Sequence, residues 1–138
     1  MSFIKKIDFL DNKYTYKITA DLSIFTRNKP KESDIFFKQI TNKTFNFSGH
    51  VSKENALSDI KNILGTSISE NSINNVFYNN WIRDMAKTCN FFCNILNNKS
   101  VSFFLHTSRG CKRYHIDNVS MRLLTTYYGQ GTEWLHPR

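Results

Sequence analysis

The sequence predicts an α+β fold, with helices packed on an antiparallel sheet. Apolar residues recur in threes and fours between Ser52 and about Asn97. Side chains of opposite type alternate again after Val101. The helical stretches come before the strongest strands and do not interleave with them, whereas a parallel α/β sheet would need alternation.

The elements follow in order. Residues 1–20 mix charge with β-formers, as in KYTYKIT, and are read as an N-terminal arm, either an edge strand or a frayed end. Residues 21–138 are read as a single domain. In DLSIFTRNKP a short apolar core (Leu22, Ile24, Phe25) is closed by the turn signal Asn-Lys-Pro. DIFFKQI fits a strand or a turn of helix equally well. KTFNFSG alternates Phe45 and Phe47 with polar residues, which suits a half-buried strand or an extended loop.

Residues 54–64 read as a helix, with Ala56, Leu57, Ile60, Ile63 and Leu64 on one face. The Ser52 hydroxyl is placed to accept from free N–H groups at its start. Gly65 tolerates the left-handed conformation that stops a helix. A second helix is expected over 72–97, with the stripe Phe77, Trp81, Met85, Cys89, Phe92, Cys93 and Leu96, ending at Asn97-Asn98. Val101–His106 reads as a strand. So does SMRLLTTYY, with Met121, Leu123, Thr125 and Tyr127 on one side and Arg122, Leu124, Thr126 and Tyr128 on the other. Gly129-Gln130-Gly131 then turns the chain.

Composition limits the function classes. With 40% hydrophobic and 22% charged residues, the chain has the make-up of a globular domain. The basic start MSFIKKIDFLDNKYTYK has no apolar core like that of a signal peptide, and no run reaches the ~18 apolar residues of a membrane span. Three cysteines, an odd number, fit reduced thiols, and a cytoplasmic location without membrane contact is expected. The net charge of +8 is spread among acidic residues, and aromatic and basic residues do not interleave. Nucleic acid is therefore not the expected partner, and a small-molecule ligand is. Cys89 and Cys93, four apart on one helix, are read as buried small hydrophobes; half a metal site is the alternative.

Chemistry concentrates in CKRYHIDNVSMRLLTTYYGQGTEWL, from Cys111 to Leu135. In extended backbone, residues two apart share a side, so His115 and Asp117 present an imidazole and a carboxylate together. These are two of the three ligand types of a 2-His-1-carboxylate site for non-haem Fe(II). A His–Asp hydrogen bond that pins a loop is the other reading of the pair. Arg122 reads as an anion clamp or as a structural partner for a carboxylate. Glu133 reads as a base or as a turn carboxylate. Cys111, near Arg109 and Lys112, reads as a reactive thiol or as a packed residue.

This stretch resembles prolyl-hydroxylase-type 2-oxoglutarate/Fe(II) oxygenases, in which H-x-D precedes a strand carrying R-x-x-T, a Tyr and a Gly-rich turn. His115, Asp117, Arg122, Thr125, Tyr128, Gly129, Gly131 and Glu133 stand at those places, although Thr132-Glu133 reverses that family's order. A closer resemblance is to the bacterial family known as domain of unknown function 1826. Its pattern of Cys, an aromatic residue, His-x-Asp and R-L-L-x-T-Y-x-G-x-G-T-E-W-L is met by Cys111, Tyr114, His115, Asp117, Arg122, Thr126, Tyr127, Glu133 and Trp134, among others. DLSIFTRN, with Arg27, and WIRDMAKTCNFFCNI resemble its upstream segments.

The oxygenase resemblance implies a divalent metal, of which Fe(II) is one candidate, on His115 and Asp117. The same resemblance implies a 2-oxoglutarate-like cofactor near Arg122 and Thr126, catalytic roles for Arg122 and Glu133, and a partial double-stranded β-helix. The third ligand is not identified. His136 follows the turn too soon to serve, His106 ends a strand that could approach the site, and His50 is read as solvated. Because that family continues past the Gly-rich turn, the domain is read as C-terminally incomplete, with pairing into a homodimer expected to cover its open edges. A non-catalytic metal- or ligand-binding protein, or an inactive copy, is the alternative to an oxidoreductase.

Overall fold

The computed structural model describes residues 4–7, 22–25, 27, 33–65, 68, 76–108 and 119–131. These build an α+β arrangement. In chain order it runs β1 (Ile4–Ile7), β2 (Leu22–Phe25), α1 (Ser33–Ile40), β3 (Asn46–Ser52), α2 (Ala56–Leu64), α3 (Val76–Leu96) and β4 (Ser100–His106). β1 pairs in parallel with β2, and β3 pairs antiparallel with β4. Part of the expected N-terminal arm is therefore an edge strand. Two two-stranded sheets among the described residues do not amount to a double-stranded β-helix.

The antiparallel pair is the platform of the core. Its register sets Phe47 opposite Leu105, Gly49 opposite Phe103 and Val51 opposite Val101. Val51, Val101 and Phe103 are buried, because alternation turns this face onto the helices. Gly49 lets α2 come close: a Cβ at this position would lie 2.8 Å from Ile63 Cδ1. The ladder continues past both ends, through Lys53 N–H to the Lys99 carbonyl at 2.8 Å and Thr107 N–H to the Phe45 carbonyl at 3.1 Å.

DIFFKQI resolves as helix, because Phe36 and Phe37 then share one buried side with Ser33. The stripe on α2 is narrower than its apolar content. Ala56, Ile60 and Leu64 are buried, while Leu57 is 40% exposed. The helix starts two residues later than predicted. Ser52 ends β3, and its hydroxyl accepts from the Asn55 N–H at 3.1 Å, ahead of the first turn. The Asp59 carboxylate reaches back to accept from the Ser52 N–H at 2.8 Å and the Ser52 hydroxyl at 2.7 Å. These two bonds hold the Asp59 carboxyl below its ordinary value of 3.8. A lowered carboxyl contributes stability that is present above its unfolded-state value and is lost as pH falls through the folded one. Thermal melts should therefore fall as pH drops below 3.8, and Asp59→Asn should flatten that acid limb.

Gly65 closes α2 at φ 55°, with its N–H on the Lys61 carbonyl, as predicted. α3 closes at Asn97, which takes φ 54°, and the Asn98 N–H reaches the Cys93 carbonyl at 3.0 Å. The buried residues of α3 are Tyr78, Trp81, Ile82, Met85, Ala86, Cys89, Phe91 and Cys93, and Phe77, Phe92 and Leu96 are partly buried against the core. The two thiols are free and buried, as the packing reading had them. Burial, with Cys93 alongside, pushes the Cys89 thiol up to about 12. Native protein should accordingly react slowly with a disulfide reagent at Cys89 and Cys93 and rapidly once unfolded, as thiol titration with and without urea would show.

SMRLLTTYY departs from expectation. Residues 121–127 belong to no strand, yet the predicted alternation survives: Met121, Leu123 and Tyr127 are half-buried, and Arg122, Leu124, Thr126 and Tyr128 are exposed. Only Thr125 breaks it, being exposed. Side-chain burial explains the pattern, and it arises here without a strand partner among the described residues.

Candidate functional site

Asp84 gathers three distant segments. It lies on α3 between the buried residues Ile82 and Met85, so its carboxylate leaves the helix at the edge of the core. One guanidinium nitrogen of Arg27, just past β2, donates to both Asp84 oxygens at 2.7 Å. The Tyr127 hydroxyl donates to Asp84 Oδ2 at 2.5 Å. The Arg27 guanidinium carbon also lies 5.8 Å from the centre of the Tyr127 ring, within cation–π range.

The Tyr127 ring stacks on Phe37 at 5.8 Å and meets Trp81 edge-on at 6.1 Å. Trp81 in turn touches Phe36, Phe37 and Tyr78. One side chain thus closes an aromatic cluster and caps a charged pair. Burial raises the Tyr127 hydroxyl above its ordinary value, and the negative charge of Asp84 adds to this. For Arg27, burial favours the neutral form, but the bond to Asp84 and its charge, with Tyr127, outweigh that and hold the guanidinium above its ordinary value. The arrangement fixes a neutral phenol, a cation and a carboxylate in one place. It docks the segment around Tyr127 onto α3 without a backbone ladder among the described residues.

The predicted site residues divide. His115, Asp117 and Glu133, with Arg109, Cys111, Lys112, Trp134 and His136, lie outside the described residues. Arg122 and Thr126 are described, and both are exposed, on the side opposite Met121, Leu123 and Tyr127. His106 is exposed at the end of β4, with Nδ1 at 2.5 Å from the Ser108 carbonyl oxygen. His50 is exposed on β3. Among the described residues, no three His, Cys, Asp or Glu side chains stand together to hold a metal, and no helix is long and apolar enough to cross a membrane.

Sequence reasoning did not single out Asp84. The signal was there: a carboxylate between buried positions of an apolar stripe requires a partner. Arg27 entered only through resemblance, and Tyr127 through the same resemblance and as one side of an alternating strand.

The pattern of one family, described as "Protein of unknown function (DUF1826)", matches residues 10–138. That span holds Arg27, Asp84 and Tyr127 together with the whole Cys111–Leu135 stretch. No curated protein and no solved structure matches.

Proposed function

Since this chain belongs to the DUF1826 family, we propose that it is a metal-binding domain whose ligands include His115 and Asp117, with an oxygenase-like reaction as its enzymatic use. One observation carries the reading: the three segments that resemble the family pattern meet at Asp84. Tyr127, which follows the His-x-Asp pair in the same stretch, is fixed there by a hydrogen bond, a cation and two aromatic contacts. A chain that anchors this stretch so firmly has reason to present the residues next to it.

The donor set fits a hard or borderline divalent ion, since it pairs a neutral imidazole nitrogen with a carboxylate oxygen. Fe(II) held by His115 and Asp117 would supply the activation of O₂. The chain's own residues do the rest. The Arg122 guanidinium binds the carboxylate of a 2-oxoglutarate-like acid through paired N–H donors. The Thr126 hydroxyl, on the same exposed side, supplies a further hydrogen bond. Glu133 holds or releases a proton as its carboxyl.

Turnover of 2-oxoglutarate by the metal-loaded protein without added substrate tests the enzymatic part. Succinate should form with wild type and fall at least tenfold with Arg122→Ala or His115→Ala. Metal bound without any succinate would leave a non-catalytic metal-binding protein.

A further inference from the structure

We infer that residues 121–127 are a strand open to a second copy of this chain, and that two copies pair along it antiparallel about a twofold axis at Leu124. This goes beyond the metal-binding reading and does not rest on it. The run holds neither turn nor bend from 121 to 127, and bends flank it at 119–120 and 128–129. Met121, Leu123 and Tyr127 keep the inward alternation of a strand. Yet no backbone hydrogen bond ties the run to another element among the described residues. Side chains hold it instead, with Tyr127 fixed by Asp84, Phe37 and Trp81. A strand docked this way presents unpaired N–H and C=O groups to a further strand. Leu124, Thr125 and Thr126 are exposed in succession, so the middle of the run is open to solvent.

The outward row identifies the occupant. Leu124 is 59% exposed, and Arg122 is the one charged residue between 119 and 131. Residues directly opposite in an antiparallel pair lie on the same face. A twofold axis at Leu124 therefore sets this leucine against its own copy and Arg122 opposite Thr126 of the second copy. On the inner face, Met121 then meets Tyr127 and Leu123 meets Thr125. Apolar side chains meet at the centre, and no like charges face each other. An axis at Arg122 would instead oppose two guanidinium groups. An apolar centre that meets itself, flanked by a cation facing a hydroxyl, is self-complementary, as an isologous contact requires. The row offers no carboxylate to a basic partner, and one guanidinium is a poor footing for a polyanion.

The net charge of +8 on each copy works against association. A strand pair of this length also buries less than a standard interface, so the dimer should form at about 100 μM and not at about 1 μM.

Sedimentation equilibrium of the full chain tests this. Wild type should pass from monomer to dimer over that range, and added salt should strengthen the dimer by screening the repulsion. Leu124→Lys alone and Leu124→Glu alone should each stay monomeric, because each sets a charge against its own copy. An equimolar mixture of the two should dimerise again, since the axis then pairs Lys with Glu. Leu124 is exposed, so both variants should melt with wild type at low concentration. Wild type that stays monomeric up to about 1 mM overturns the inference. So does either variant dimerising like wild type, or a mixture that stays monomeric.

Discussion

Trp81→Ala is expected to destabilise the domain by about 3–5 kcal/mol, the largest effect of any single change at the Asp84 cluster. Trp81 is 4% exposed, and its ring meets Phe37 at 5.6 Å, Phe36 at 6.0 Å, Tyr127 at 6.1 Å and Tyr78 at 6.3 Å. These contacts join α1, α3 and the C-terminal segment, so truncation opens a cavity that no single element can collapse to fill. The indole N–H is buried and has no hydrogen-bond partner. Trp81→Phe therefore sacrifices ring area but no polar contact, and it should cost roughly half as much. Urea unfolding measures both. The midpoint should drop with an unchanged slope, and a loss below about 1 kcal/mol for Trp81→Ala would contradict this packing.

Asp84→Ala comes next, with an expected cost of about 2 kcal/mol, because it strips acceptors from two donors at once. Much of that belongs to the Tyr127 hydroxyl, which burial deprives of water. The Arg27 pair is partly open, at 28% and 34% side-chain exposure, so screening limits it to about 1 kcal/mol or less. A double-mutant cycle with Tyr127→Phe separates the two contributions. The Asp84–Tyr127 coupling should be about 1 kcal/mol and insensitive to salt, while the Arg27 contribution should shrink as salt rises. Additive single effects would mean that Tyr127 is held by its ring alone.

The sequence made the helices legible for clear reasons. Apolar residues spaced by threes and fours, with Gly65 and Asn97 able to take positive φ, specify α2 and α3 with little outside help. Val101–His106 was equally legible, as a bounded run of β-formers. DIFFKQI was not, because adjacent Phe36 and Phe37 satisfy either period, and only packing against Trp81 decides for helix. SMRLLTTYY misled in the opposite way. Its alternation is real as burial, but pairing depends on a neighbouring strand that no local pattern can supply. The proposed site rests on residue types alone: of His115, Asp117, Arg122, Thr126 and Glu133, only Arg122 and Thr126 lie among the described residues. The contacts of Asp84 were not legible, because Arg27 and Tyr127 stand 57 and 43 positions away from it.

Metal content of the purified protein, compared with His115→Ala and Asp117→Ala, tests the central claim most directly. The proposal predicts close to one bound divalent ion per wild-type chain after exposure to Fe(II) or Zn(II). It predicts loss of most of that ion in either variant, with the thermal melt of the metal-free protein unchanged. Equal metal in all three proteins, or none in wild type, would contradict it.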